Sequence, residues 1–179
     1  MDIAYKAVDY FRGKQLLSID EVEVFNRLKN YEDNIQSVSI SFSLPNTLKI
    51  EIGSFKEMFN VLINEKNYIL VENGTLVPAN PNKNLRLLNV KKDFDKNSFI
   101  EYKQVFQPKY IEKINNIVKR FEQNFINVPI EALHYYEVER ELHLEISGNR
   151  LLIFSLDTNT SVESQIEKLA IFNKDYFTI

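Results

Sequence analysis

His134 and His143 are the only histidines in this chain of 179 residues, and with no cysteine they are its only imidazole or thiol groups. Paired imidazoles can hold zinc or relay a proton, but a metal site needs further ligands in suitable geometry. The two residues differ in parity along neighbouring strand-like segments, so the expectation is that they face opposite sides of a sheet. The acidic set Glu137, Glu139, Glu141 and Glu145 shares one parity, against apolar Val138, Leu142, Leu144 and Ile146. Paired carboxylates perform acid–base chemistry when burial raises one pKa. A solvated strand face explains this alternation without such a site. The absence of cysteine removes disulfides, thiol nucleophiles and cysteine zinc sites together. No phosphate-binding loop, dinucleotide fingerprint or GxSxG elbow occurs, so no catalytic residue, cofactor-binding residue or metal ligand is assigned.

The composition is that of a globular protein: 44% hydrophobic, 26% charged, with a net charge of −3. That balance argues against a broad nucleic-acid surface, which needs clustered Lys and Arg. No apolar run approaches the length of a membrane span. The aromatic content, 13 Phe and 9 Tyr, concentrates partly at the end of the chain in Phe172, Tyr176 and Phe177.

The elements that must position these residues follow from periodicity. Residues 3–11 place Ile3, Ala7, Val8 and Phe11 on one helical face, and Gly13 suits a C-cap or turn. Ser18 to Glu21 reads as a capping box opening a helix that buries Val22, Phe25 and Leu28 and ends near Asn30. From Ile35 to Ile52 the sequence IQSVSISFSLPNTLKIEI alternates apolar and polar residues across Pro45, the mark of a half-buried hairpin. A two-residue loop would set Phe42 against Lys49. An odd loop at Pro45 to Thr47 pairs Phe42 with Ile50 and Ile40 with Ile52. Met58 to Ile63 reads as a strand, and Tyr68 to Val77 as a hairpin with a type I′ turn at Asn73-Gly74 that pairs Val71 with Leu76. Leu85 to Leu88 is a short apolar segment, followed by a polar connector.

Pro108 opens the clearest helix, with Ile111, Ile114, Ile117, Val118, Phe121 and Phe125 at helical spacing. Ala132 to Glu139 and Leu142 to Ser155 read as strands, the latter turning at Gly148-Asn149 so that Ile146 meets Leu151 and Leu144 meets Ile153. A capping box at Thr160 to Glu163 starts a last helix with Val162, Ile166, Leu169 and Phe172 on one face.

In order, these elements resemble the extracytoplasmic part of the FtsQ/DivIB family of bacterial division proteins, a POTRA domain followed by a larger β domain. The segment Gly13-Lys14-Gln15-Leu16-Leu17-Ser18-Ile19-Asp20 resembles the turn between the two POTRA helices. Leu44-Pro45-Asn46-Thr47-Leu48-Lys49-Ile50-Glu51-Ile52 is similar to the POTRA hairpin. Tyr68 to Gly74 resembles the apolar strand and turn that open the β domain. The resemblance implies an α+β fold, with a POTRA-like α-α-β-β domain over residues 1–55 and a mixed-sheet domain with packed helices over 56–179. It implies a membrane helix and a first POTRA strand upstream, a final β strand downstream, and an extracytoplasmic location at the cell membrane.

By the same resemblance the function is scaffolding without catalysis or cofactors, through contact with FtsB/FtsL-like division proteins. The expected route is β-augmentation, in which a partner strand completes an open sheet edge. Two edges are candidates: Leu48, Ile50 and Ile52 in the hairpin, and the C-terminal stretch holding Phe172, Tyr176, Phe177 and Ile179. A POTRA-type module of a polypeptide-transport or outer-membrane assembly protein uses the same edge logic and is the alternative reading. An enzyme of unknown type is the second.

Overall fold

The structure, a computed structural model, describes residues 9–15, 18–43, 47–92 and 100–176, with 172–176 described as backbone. It is a mixed α+β fold with two hydrophobic cores. The first residues of the expected 3–11 helix lie outside the described residues, but Phe11 is buried and Gly13 has φ +83°, the turn conformation glycine adopts without strain.

Helix α1 (Glu21–Tyr31) buries Val24 and Leu28, with Phe25 packed beside them, whereas Val22 points to solvent. Both the 22–25–28 and 24–28 series satisfy helical spacing, so only packing against the hairpin chooses between them. The expected capping box does not form. Asp20 is the N-cap, Ser18 Oγ donates to Gln15 O, and Glu21 reaches elsewhere. Strands β1 (Ile35–Ser43) and β2 (Thr47–Ser54) form the antiparallel hairpin, pairing Val38 with Ile52, Ile40 with Ile50 and Phe42 with Leu48. The connection 44–46 is odd, as the alternation requires, and the faces are those expected. The register lies one pair from the predicted one, because a three-residue connection placed one residue earlier in the chain keeps the parity and changes the partners. The turn geometry at Pro45 lies outside the described residues.

Strands β3 (Glu57–Ile63), β4 (Lys66–Val71) and β5 (Leu76–Pro78) form an antiparallel meander. Its β3–β4 turn, Asn64-Glu65, has both residues at positive φ, the signature of type I′. The type I′ turn expected at Asn73-Gly74 is absent: only Gly74 is left-handed, at φ +84°, and Leu70, not Val71, faces Leu76. Gly74 N donates to Val71 O, and Val71 N to Thr75 O, so the loop is a turn followed by a glycine bulge. A Cβ at Gly74 would lie 2.0 Å from Phe106 O, so the backbone there admits only glycine.

Strand β6 (Leu88–Lys91), which spans the end of the expected apolar segment and the start of the expected connector, pairs in parallel with β7 (Ile130–Tyr136). Helix α2 (Pro108–Asn124) makes the crossover and buries the predicted Ile111, Ile114, Ile117, Val118 and Phe121 against the sheet. Strands β8 (Glu141–Ile146) and β9 (Arg150–Ser155) complete the order β6-β7-β8-β9. Ile146 faces Arg150, and Leu144 faces Leu152. The expected Gly148-Asn149 two-residue loop is a three-residue one, which turns Leu152 and Phe154 to the core side and Leu151 and Ile153 out. Four apolar residues in succession carry no parity, so the loop decided it. A parallel bridge from Asn60 to Leu87 brings β3 alongside β6. Helix α3 (Val162–Tyr176) is capped by Ser161 Oγ, which accepts from Ser164 N at 3.0 Å, one residue beyond the expected Thr160. It buries Val162 and Ile166 and lies against α2. Among the described residues, no helix is long and apolar enough to cross a membrane.

Candidate partner-binding edges

An open edge is a row of backbone groups with no ladder partner, so the question is which peptide groups point outward. For the hairpin the answer comes from α1. Ile40 N donates to Glu21 Oε1 at 2.9 Å, so this amide points away from β2. In an antiparallel pair, directly opposed residues share one state and alternate residues repeat it. Ile50 therefore also points its N–H outward, as do its i±2 neighbours Leu48 and Ile52. Glu21 closes the β1 edge at one position, and no described group does the same for β2. The side chains of Leu48, Ile50 and Ile52 lie on the α1 side, where Phe42 and Ile52 remain 44% and 39% exposed.

The same logic locates a second edge. Gln165 on α3 binds Ser155 at both backbone groups, accepting from its N at 2.7 Å and donating to its O at 3.1 Å. One amide side chain thus substitutes for a neighbouring strand at this residue. By alternation, Ile153 and Leu151 present their peptide groups outward too, without such a partner among the described residues. Their side chains, 56% and 52% exposed, lie on the face of the sheet away from the buried Leu142, Leu144 and Phe154. A groove of about 280 Å³ beside this edge is lined by Glu131, Glu145, Arg150 and Leu151 among others. At the far side of the molecule β5 is covered instead. Tyr102 N donates to Leu76 O, Thr75 bridges Gln104, and Pro78 ends the strand.

The C-terminal expectation needs correction. Phe172 and Tyr176 belong to α3, not to a strand or its edge. Helical backbone groups bond within the helix and accept no partner strand. Phe177 and Ile179 lie outside the described residues.

The histidine expectation is also overturned. His134 and His143 are directly opposed on β7 and β8, and cross-strand partners share a face. The differing sequence parity misled because antiparallel pairing matches residues whose numbers sum to a constant. Across the sheet the row reads Asn89, His134, His143, Ile153. His143 Nε2 is 2.8 Å from Glu141 Oε2, and His134 Nε2 is 3.0 Å from Glu145 Oε1 but in geometry that makes no hydrogen bond. Among the described residues no three acidic or imidazole side chains gather as a metal site. Glu137 and Glu139 sit in the turn before β8, not on a strand face, while Glu141 and Glu145 flank His143 on the face away from the core.

Asp33 joins the hairpin unit to the larger sheet. Its Oδ1 lies 3.1 Å from Lys103 Nζ and its Oδ2 accepts from Gln104 N at 2.9 Å. Its backbone N donates to Tyr102 O at 2.7 Å, and its O accepts from Asn73 Nδ2 at 2.7 Å. Lys103 also donates to Lys29 O and Asn30 O at the end of α1. Partial burial opposes ionisation of Asp33, but the Gln104 N–H and the Lys103 ammonium outweigh it and hold the carboxyl below its ordinary range.

Of these groups, sequence reasoning named only Leu48, Ile50 and Ile52 of β2 as edge candidates. Glu21 was legible only as a cap, Gln165 carried no signal, and Leu151 and Ile153 were placed on the wrong face. No protein-family model matches the chain, and no curated protein is significantly similar to it.

Proposed function

We propose that the chain is a non-enzymatic scaffold of the FtsQ/DivIB type, linking division proteins outside the cytoplasmic membrane by taking a partner strand at a sheet edge. In this reading residues 1–55 are the POTRA-like unit and 56–179 the β domain, tethered through an upstream membrane helix. The partners are FtsB/FtsL-like proteins. The observation that carries the proposal is the β9 edge. Leu151 and Ile153 present outward peptide groups with no partner among the described residues, and exposed apolar side chains at the same positions, the combination that strand addition uses for affinity and selection. The order helix, hairpin, meander, βαβ crossover, hairpin, helix supports it, as do the separate cores on either side of residue 55.

The test is titration of the chain with a peptide from the FtsB-like protein of the same organism, followed by fluorescence anisotropy and amide exchange. Binding should protect the Leu151 and Ile153 amides. Ile153→Pro removes one outward donor without removing a bond to β8, and should weaken binding at least about tenfold. Unchanged binding by this variant sinks the β9 proposal.

A further inference from the structure

We propose that the β2 edge is a homotypic interface, occupied by β2 of a second copy of this chain about a two-fold axis through Ile50. The argument is independent of the β9 edge and rests on register and charge. The outward peptide groups are those of Leu48, Ile50 and Ile52, as the bond from Ile40 N to Glu21 requires. With Ile50 opposite Ile50 of the second copy, each residue exchanges both its N–H and its C=O with its counterpart. Leu48 then meets Ile52 on the helix side, extending the half-exposed apolar stripe of Phe42 and Ile52.

On the opposite face this register sets Lys49 against Glu51 of the second copy, twice. Those are non-hydrogen-bonded pairs, where opposed side chains approach closest. Sliding the strands by one pair in either direction opposes Lys49 to Lys49 or Glu51 to Glu51. An odd slip puts apolar residues against polar ones. Charge complementarity therefore selects one antiparallel register and one symmetric, closed pair. Within each chain Lys49 Nζ already lies 2.5 Å from Glu51 Oε1, with both side chains largely exposed, so the edge carries no net charge to repel a copy of itself. Between Leu48 and Ile52 no proline stands and the bulge near Ile35 lies beyond it, and the charges that could blunt the edge, Lys49 and Glu51, oppose each other with opposite sign in this register. Pairing turns a two-stranded sheet into a four-stranded one, which is more stable than an isolated hairpin.

The test is sedimentation velocity of the whole 179-residue chain across a concentration series, with variants on exposed positions that leave the fold in place by circular dichroism. A monomer–dimer equilibrium is expected. Lys49→Glu and Glu51→Lys should each raise the dimer Kd about tenfold or more, since two attractive pairs become repulsive. The double exchange Lys49→Glu/Glu51→Lys should return it to the original range. Ile153→Pro should leave it unchanged, which separates this interface from the β9 edge. Because the chain has no cysteine, Ile50→Cys supplies a single thiol on the axis and should form a linked dimer under mild oxidation, while Ser41→Cys on β1 should not. A chain that stays monomeric throughout, a dimer indifferent to Lys49→Glu, a double exchange that fails to restore pairing, or loss of the dimer in Ile153→Pro would each overturn the proposal.

Discussion

The hairpin unit and the larger sheet unit solve the same edge problem with very different support. In each, a helix sends one side chain across to bond an outward peptide: Glu21 to Ile40 in the first, Gln165 to Ser155 in the second. The larger unit does this over a continuous core running from Phe59 to Ile166, with α2 seated on the sheet. The smaller one has a core of Phe11, Ile19, Val24, Leu28 and Ile35, with the hairpin only half covered. Edge closure is thus a refinement in the larger unit. In the smaller one, the Asp33 junction adds contacts that its own small core does not supply.

The sharpest way to break the comparison is a cavity in each core. Phe121→Ala removes a fully buried ring stacked on Phe125 and should cost about 3–5 kcal/mol, read as a fall in the thermal midpoint of the whole chain. Leu28→Ala should cost about 2–4 kcal/mol, but its effect should be local. Amide exchange should show β1 and β2 losing protection while β7 and β8 keep theirs. Equal loss in both units would mean that the two cores fold as one.

The junction comes next. Asp33→Ala removes the carboxylate that Lys103 and Gln104 share. With its side chain about a third exposed, the loss should be about 1–2 kcal/mol after solvent screening, again confined to the hairpin unit. Because the folded carboxyl titrates below the unfolded one, its contribution is fully present above the ordinary aspartate value, about 4. It is lost as pH falls through the folded value. Wild type should therefore lose hairpin protection in that acid range more steeply than Asp33→Ala. Identical acid profiles would show that the carboxylate does not hold the units together.

The smallest effects belong to the edge closures. Gln165→Ala frees both backbone groups of Ser155 and should cost about 1 kcal/mol in urea unfolding. Glu21→Gln keeps a side-chain oxygen acceptor and should cost about 0.5 kcal/mol or less, by loss of the charge on the bond to Ile40. If Glu21→Gln proves the more damaging of the two, the closure of β1 matters more than the geometry implies.

Much of the scaffold was legible one element at a time. The stripe from Ile111 to Phe121 specified a buried helix, because five apolar residues at one spacing leave a single face to bury. The alternation from Val38 to Ile52 specified a hairpin and its faces. What failed were matters of partnership: Val22 against Val24, Leu151 against Leu152, and the Glu21 cap. In each case two local patterns fitted equally: the hairpin packed on α1 chose Val24, Ile40 drew Glu21 away from its cap, and the length of the 147–149 loop chose Leu152. The candidate site was less legible than the fold because an edge is defined by what is missing beside a strand, which no local pattern records.

The sequence alone determined which residues alternate, hence the α+β class, the hairpin and the main crossover helix, since side-chain periodicity is a property of the backbone itself. Tertiary structure alone decided the registers, the pairing of His134 with His143 and the opening of β2 and β9. Those depend on loop lengths and on contacts such as Glu21 to Ile40, made between groups that are near in space and distant in the chain.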